Sequence, residues 1–214
     1  MSSLIFHTDQ SQAFVATDTL AVSPGGEPFM FTTKAFAVPH LKMIICGTGA
    51  GGFLGKWFVQ VNDKLIVRGI DNLDFHTPKI LSELWDNYRK EFSQSSETTT
   101  VYHFGLSEED GFIHSYVYRS TENFRSESRG YGVGYKPDCS LPENYVFPKD
   151  IIIMMDEQRR VQSSVPPEER IFIGGEIQVH HLTKDGINIY TLAKFDDYAD
   201  NEQKICSNYE RQKR

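Results

Sequence analysis

Three residues near the start of the chain, Ser2, Asp18 and Lys34, have types and a spacing that suit nucleophilic catalysis. Removal of Met1, which the small side chain of Ser2 favours, would leave a free α-amine beside the serine hydroxyl. Such an amine can act as the general base for its own hydroxyl. Asp18 and Lys34 follow at equal intervals of sixteen residues. The three residues therefore predict an N-terminal nucleophile supported by an acid and a cation.

Each group has a defined part in such chemistry. A free α-amine has a reference pKa near ~8, so it can be neutral at working pH, as a base must be. A Lys34 ammonium close by would lower that pKa and stabilise the developing alkoxide. A buried ammonium is costly without a carboxylate, and Asp18 is the predicted partner. The oxyanion of an acyl-transfer intermediate also needs a backbone N–H donor, which a glycine can offer where no side chain blocks the approach.

The same residues also have ordinary interpretations. Serine is common as a second residue, Asp18 can satisfy turn N–H groups at a strand end, and Lys34 can be an exposed strand residue. The hypothesis of a catalytic site depends on the three occurring together.

Composition and charge exclude several classes of protein. The 214 residues, 39% hydrophobic and 24% charged, are typical of one globular domain. A net charge of −7 argues against a nucleic-acid-binding or anionic-membrane surface. No apolar run approaches the ~20 residues of a membrane helix, and no signal peptide is predicted. Cys46, Cys139 and Cys206 contain no CxxC pair, which favours a reducing, cytoplasmic location.

The predicted elements are runs of strands interrupted by helices. Alternating apolar residues bounded by turn residues predict strands over 3–8, 13–18, 20–22, 29–37, 41–46, 98–106, 112–119, 130–135, 171–182 and 187–193. Apolar stripes of helical period predict helices over 53–61, 80–92 and 150–162, the second opening at Thr77-Pro78. The order favours an α+β fold with helices outside two antiparallel sheets. We expect a single domain over residues 1–195 and a polar, frayed tail over 196–214.

Two segments of the sequence have the pattern of a known family. Ala16-Thr17-Asp18-Thr19 forms an acid motif at the end of a strand. The family's pattern is matched without gaps from Ser2, through this motif, to Lys34. Cys46-Gly47-Thr48-Gly49 forms a glycine loop before the first predicted helix. With these motifs the chain resembles the N-terminal-nucleophile (Ntn) hydrolases of the proteasome β-subunit class, including the bacterial proteasome-like peptidase. The loop is one residue shorter than the family's, so Gly47 is the better match to its oxyanion residue and Thr48 the alternative.

The resemblance implies a fold, an activity and partners. The fold would be a four-layer αββα sandwich, and the activity that of a peptidase or amidase with Ser2 as nucleophile and no cofactor or metal. The substrate would lie as an extra strand between residues 20–22 and 47–49. Candidate residues of the substrate pocket are Ala21, Thr32, Phe36, Cys46, Thr48 and Gly49. Self-association into rings and an ATPase unfoldase partner are further expectations.

The chain departs from the family's pattern at three places. Serine stands where the family usually has the nucleophilic threonine. The late serine-containing glycine motif appears as Tyr131-Gly132-Val133-Gly134, without a serine. Arg170 and Ile173 replace the acid and the serine that support the nucleophile's amine in the family. These changes favour an alternative, a non-catalytic ring or scaffold subunit with the same fold.

A nucleotide-binding protein is a third hypothesis. The run from Gly47 to Gly52 matches GxGxxG after an apolar strand and before a helix, and Asp71 lies where a ribose-binding acid falls. A dinucleotide-binding fold requires alternating strands and helices, whereas residues 98–135 predict consecutive strands. The histidines predict no metal site, since neighbouring His180 and His181 would face opposite sides of a strand.

Overall fold

The structure is a computed structural model that describes residues 3–23, 25–92, 97–140 and 142–212, with side chains to residue 209. The candidate nucleophile Ser2 lies outside these residues. No helix in the described ranges combines the length and the apolar character needed to cross a lipid bilayer.

Antiparallel sheets organise the described residues. In chain order the strands are β1 (Leu4–Thr8), β2 (Gln12–Asp18), β3 (Leu20–Val22), β4 (Pro28–Phe31), β5 (Ala35–Val38), β6 (Met43–Gly49), β7 (Thr99–Leu106), β8 (Ile113–Arg119), β9 (Glu127–Ser128), β10 (Gly132–Lys136), β11 (Glu176–Thr183) and β12 (Gly186–Lys194). One sheet has the order β10-β1-β2-β11-β12, the other β5-β6-β7-β8-β9, and β3 pairs with β4. All pairs between described strands are antiparallel. This contradicts the nucleotide-binding alternative, which requires a parallel sheet.

Four α-helices accompany the sheets in the described residues: α1 (Gly51–Lys64), α2 (Ile70–Phe92), α3 (Ile151–Ser163) and α4 (Tyr198–Gln212). The predicted apolar stripe of α1 is buried except at Phe58, which is partly buried, and Phe53 and Trp57 are fully enclosed. The stripe of α3 is buried as well, through Ile151, Met154 and Met155. The helix periodicity of the sequence is therefore realised where each stripe meets a sheet.

Three apolar clusters hold these elements together. Trp57 of α1 belongs to the cluster between α1, α2 and the second sheet. Phe6 of β1 and Phe104 of β7 meet between the two sheets, with ring centroids 4.9 Å apart. Met154 of α3 packs into the cluster on the other side of the first sheet. Each fully buried side chain of this size contributes about 1.5–3 kcal/mol to the free energy of unfolding.

The predicted strand over residues 29–37 is interrupted in the structure. β4 ends at Phe31 and β5 begins at Ala35, with no strand hydrogen bonding at the three described residues between them. The amide of Thr32 donates instead to the carbonyl of Thr19, at 2.8 Å. At this break the side chain of Lys34 points into the protein, where its ammonium binds the carboxylate of Asp18.

The second helix begins earlier than the Thr77-Pro78 signal predicts. α2 starts at Ile70, and Pro78 lies inside it. Glu108 explains the earlier start, since its carboxylate accepts the amides of Asp71 and Asn72, at 3.1 and 2.7 Å. These N–H groups of the first turn have no partner within the helix. The cap comes from a residue far along the chain, so no local pattern indicated it.

The C-terminal segment is helical where the sequence predicts a frayed tail. α4 packs on the β3–β4 hairpin, where the rings of Tyr198 and Phe31 stack with centroids 4.8 Å apart. The side chain of Asn208 donates to the carbonyl of Pro28, at 3.2 Å. Asn201 is 5% exposed. A polar helix is thus stabilised by tertiary contacts rather than by an apolar stripe.

The predicted strand over residues 171–182 begins only at Glu176. The irregular segment before it is hydrogen-bonded to the start of β3. The carbonyl of Gly174 accepts the amides of Thr19 and Leu20, at 3.2 and 3.0 Å. Gly175 has a φ of +80°, and a Cβ there would lie 2.4 Å from the Thr19 hydroxyl oxygen. This close approach brings the segment to the end of β2.

Candidate active site

Asp18 is the centre of the candidate site. It ends β2, is fully buried, and its carboxylate accepts three hydrogen bonds from described residues. Oδ1 accepts the Lys34 ammonium at 2.8 Å and the Ser3 amide at 2.9 Å, while Oδ2 accepts the Gly174 amide at 3.2 Å. One carboxylate therefore joins the start of the chain, the β4–β5 connection and the segment before β11.

Lys34 is the predicted cation, and the structure brings it to Asp18. Its side chain is 10% exposed, and Nζ also donates to the carbonyl of Leu20 at 2.6 Å. Removing one partner of such a buried pair leaves an uncompensated charge and costs about 3–5 kcal/mol. The two bonds fix the direction of the ammonium.

The surroundings of Asp18 act on its pKa in opposite directions. Complete burial raises the pKa above its ordinary value, because it penalises the charged carboxylate. The Lys34 ammonium and the amides of Gly174 and Ser3 act against this effect. These three donors are therefore what stabilises the ionised carboxylate in its buried position.

Gln158 of α3 is a residue that the sequence analysis missed. It is fully buried, accepts the Ser3 hydroxyl at 2.5 Å and donates to the carbonyl of Pro137 at 2.5 Å. Its signal was a polar residue on the buried face of α3, one turn after Met154 and Met155. Ser3 is thus held at both its amide and its hydroxyl.

A cavity of about 510 Å³ lies beside Lys34. Its lining includes the following residues predicted for the site: Ala21, Thr32, Lys34, Phe36, Gly47, Thr48 and Gly49. It also includes Met30, Glu97 and Phe172, which the sequence analysis did not identify. The volume is within the ~300–1,000 Å³ of ordinary ligand sites. The candidate nucleophile-tuning and oxyanion residues therefore face one space.

Gly47 and Gly49 border this space on β6. The pairing of β5 with β6 ends at Ala35 and Cys46, so residues 47–49 extend beyond the end of β5. A Cβ on Gly47 would lie 2.7 Å from the Thr100 carbonyl oxygen, and one on Gly49 2.1 Å from that of Thr98. Only glycine fits at both positions, and both glycines line the cavity.

Cys46 does not line the cavity, contrary to the prediction that it belongs to the substrate pocket. Because side chains alternate along a strand, its thiol points between the two sheets, where it is fully buried. Burial strongly raises the pKa of the thiol. Cys46 is a core residue in this structure.

At the late positions that depart from the family's pattern, neither side chain forms a hydrogen bond with the Asp18 carboxylate in the described residues. Arg170 donates to the carbonyls of Ser163 and Val165, each at 2.9 Å. Ile173 is buried in the apolar cluster against α3. Neither supplies an acid or a hydroxyl to the start of the chain.

Asp71, the residue of the nucleotide-binding alternative, has other partners. Its Oδ1 contacts His114 Nδ1 at 2.7 Å and accepts the Tyr116 hydroxyl at 2.6 Å. These bonds tie the start of α2 to β8, and Asp71 is absent from the cavity lining.

Comparisons with known proteins bear on the fold. No family model matches the sequence, and no curated protein matches it. Among solved structures the chain is similar to one described as Anbu (ancestral beta-subunit) from Yersinia bercovieri, with a TM-score of 0.58 and 10% identity. The similarity covers 98% of this chain and 94% of that one. It supports a proteasome-like, mixed α/β fold with antiparallel sheets, and at this identity it carries no statement about activity.

Proposed function

We propose that the chain is a proteasome-like Ntn hydrolase, a four-layer αββα sandwich that cleaves peptide or amide bonds with Ser2 after Met1 is removed. One observation carries the proposal. Asp18 binds both the Lys34 ammonium and the amide of Ser3, the residue directly after the nucleophile. The carboxylate thereby holds the start of the chain and the cation together at the edge of the cavity.

Acylation requires a base, a cation and an oxyanion donor. The neutral amine of Ser2 accepts the hydroxyl proton as Oγ bonds to the carbonyl carbon of the substrate. The Lys34 ammonium keeps the amine's pKa low, and the Gly47 N–H stabilises the oxyanion. The protonated amine then gives its proton to the leaving nitrogen, the C–N bond breaks, and an ester remains on Ser2.

Deacylation repeats the same proton transfers with water. Water attacks the ester carbonyl while the Ser2 amine takes its proton. The C–O bond breaks, the acid product leaves, and the proton returns to Oγ. Because the base and the nucleophile belong to one residue, a retained Met1 would abolish both steps.

Assembly and location are part of the proposal. By its resemblance to the proteasome β-subunit class, the chain would form a ring of identical subunits with an ATPase unfoldase as its partner. Ile66 and Phe75 are large apolar side chains, 102% and 81% exposed, and are the residues that we assign to contacts with other subunits. Light scattering on the protein and on a variant with Ile66→Ser and Phe75→Ser tests self-association, which the variant should weaken. The free thiols of Cys46, Cys139 and Cys206 support a reducing, cytoplasmic compartment.

Intact mass after incubation with a peptide epoxyketone tests the activity. This reagent forms its ring adduct only with the hydroxyl and the free amine of one N-terminal residue. We expect loss of Met1 and the addition of one reagent molecule per chain. Ser2→Ala should give no adduct, whereas Ser11→Ala, in an exposed turn, should react like the wild type. Retained Met1, or an adduct on Ser2→Ala, would contradict the proposal.

A specific observation favours the second candidate function, a non-catalytic ring subunit. The side chains of Arg170 and Ile173 provide no acid or hydroxyl for the nucleophile's amine. On this alternative, the protein loses Met1 and assembles into a ring, but the ring forms no adduct with the epoxyketone. Ser2→Ala then changes neither assembly nor stability.

A further inference from the structure

A second cavity, of about 350 Å³, adjoins the first. It lies between α3, α4 and the segment before β11. Its charged lining consists of Glu27, Arg159, Arg170, Asp197 and Lys204. Lys34 and Gly47 line the first cavity and not this one, so the second cavity is a binding space without the candidate catalytic groups.

The charges of this cavity are unevenly compensated. Arg159 is paired with the carboxylate of Asp197. Arg170 donates to backbone carbonyls and has no carboxylate partner among the described residues. No ion pair within the described ranges involves Lys204 either. With Glu27 as the remaining acid, the lining has a net positive charge.

Asn201 adds an independent signal. This residue of α4 lines the cavity and is 5% exposed, yet its Nδ2 has no hydrogen-bond partner in the described part of the chain. A buried donor without a partner costs about 1–3 kcal/mol. Nδ2 has almost no accessible surface, so a rotation of the amide would bring it to an acceptor oxygen in the cavity and remove that cost. Buried polar groups normally have such a partner.

We propose that this cavity binds a small oxyanion, a carboxylate or a phosphate group. Arg170 and Lys204 supply the positive charge, and Asn201 supplies a buried N–H donor. Arginine favours oxyanions because its planar guanidinium presents several donors in a fixed geometry. The site is separate from the proposed hydrolytic centre and does not depend on the activity of Ser2.

The proposed anion site shares a wall with the neighbouring cavity. Leu20 and Phe172 line both cavities. The Leu20 carbonyl accepts the Lys34 ammonium, and its amide donates to Gly174, whose own amide binds Asp18. An anion in the second cavity therefore lies beside Leu20, whose backbone is hydrogen-bonded to Lys34 and, through Gly174, linked to Asp18.

Calorimetric titration of the full chain at constant ionic strength tests the site. Inorganic phosphate and N-acetylglycine are the probes for the two oxyanion classes. We expect saturable binding of one probe molecule per chain. Lys204→Met and Asn201→Leu should each weaken it by about tenfold or more, while Lys184→Met, a matched loss of charge at a distant turn, should leave it unchanged.

The outcomes separate the sources of the anion. Binding of phosphate alone assigns the site to phosphate groups, binding of N-acetylglycine alone to carboxylates, and binding of both to their shared chemistry. Arg170→Met should also weaken binding; if this variant does not fold, Lys204→Met decides, because its side chain is exposed. No saturable binding of either probe, or wild-type affinity in both Lys204→Met and Asn201→Leu, overturns the proposal.

Discussion

The hydroxyl of Ser3 donates a hydrogen bond to the side-chain carbonyl of Gln158, and both residues are fully buried. Gln158 also holds the carbonyl of Pro137, so α3 anchors the first residue of the described chain from outside the first sheet. A residue next to the candidate nucleophile is thus fixed by a side chain that takes no part in the proposed chemistry.

Replacing Gln158 should destabilise the protein. Gln158→Leu leaves the Ser3 hydroxyl and the Pro137 carbonyl buried without a partner, at about 1–3 kcal/mol for each. Urea unfolding should therefore give a free energy of unfolding lower by about 2–6 kcal/mol. Gln203→Leu, an exposed glutamine of α4, is the control. If Ser3→Ala restores none of the loss in the double variant, Ser3 and Gln158 do not act together.

The pair of Asp18 and Lys34 should show strong coupling. Lys34→Met leaves the Asp18 carboxylate buried without its cation, and Asp18→Asn leaves a buried ammonium, so each should cost about 3–5 kcal/mol of unfolding free energy. The double variant should cost less than the sum, because it buries no lone charge. Chemical denaturation of the four proteins measures the coupling. Additive losses would show that the pair contributes no interaction of its own.

The contact between Asp18 and Lys34 could be predicted from the sequence, because both residues lie on one motif of fixed spacing. The contacts of Gln158 and Gly174 could not, since they join residues 155 and 156 positions apart. No local pattern encodes such a distance. The same reason explains the early start of α2, which is capped by Glu108, and the order of α4, which is held by the β3–β4 hairpin. Local periodicity predicted strands and helices, while tertiary contacts decided where several of them begin.

His114 should stabilise the fold at low pH and lose this effect as the pH rises. Although burial alone lowers its pKa, hydrogen bonds and charges from Asp71 and Asp110 outweigh burial and raise the pKa above its ordinary value. A raised pKa means that the folded state binds the proton more tightly, so the stabilisation is complete below about pH 6.5 and disappears above the folded pKa.

The unfolding free energies of the wild type and of His114→Gln, compared between pH 5.5 and 9, test this effect. The side chain is 30% exposed, so we expect a difference of about 1 kcal/mol or less at pH 5.5, shrinking toward pH 9. A difference that grows with pH would contradict the assigned direction.

His103 should have the opposite effect on stability. Burial lowers its pKa to about 3, and its Nε2 accepts the indole N–H of Trp57 at 2.9 Å. A proton on Nε2 would oppose that N–H, so the folded protein keeps the ring neutral while the unfolded chain binds the proton. Stability should therefore fall as the pH drops below about 6.5, by about 2–3 kcal/mol at pH 4.5.

Urea unfolding of His103→Gln between pH 7.5 and 4.5 measures this contribution of His103. Glutamine can still accept the Trp57 N–H but does not titrate, so the variant should lose less stability on acidification than the wild type. Trp57→Phe separates the two causes, since it removes the hydrogen bond and leaves His103 buried. If Trp57→Phe keeps the wild-type acid sensitivity while His103→Gln loses part of it, burial is the cause. Equal acid sensitivity in His103→Gln and the wild type would show that His103 does not govern the response.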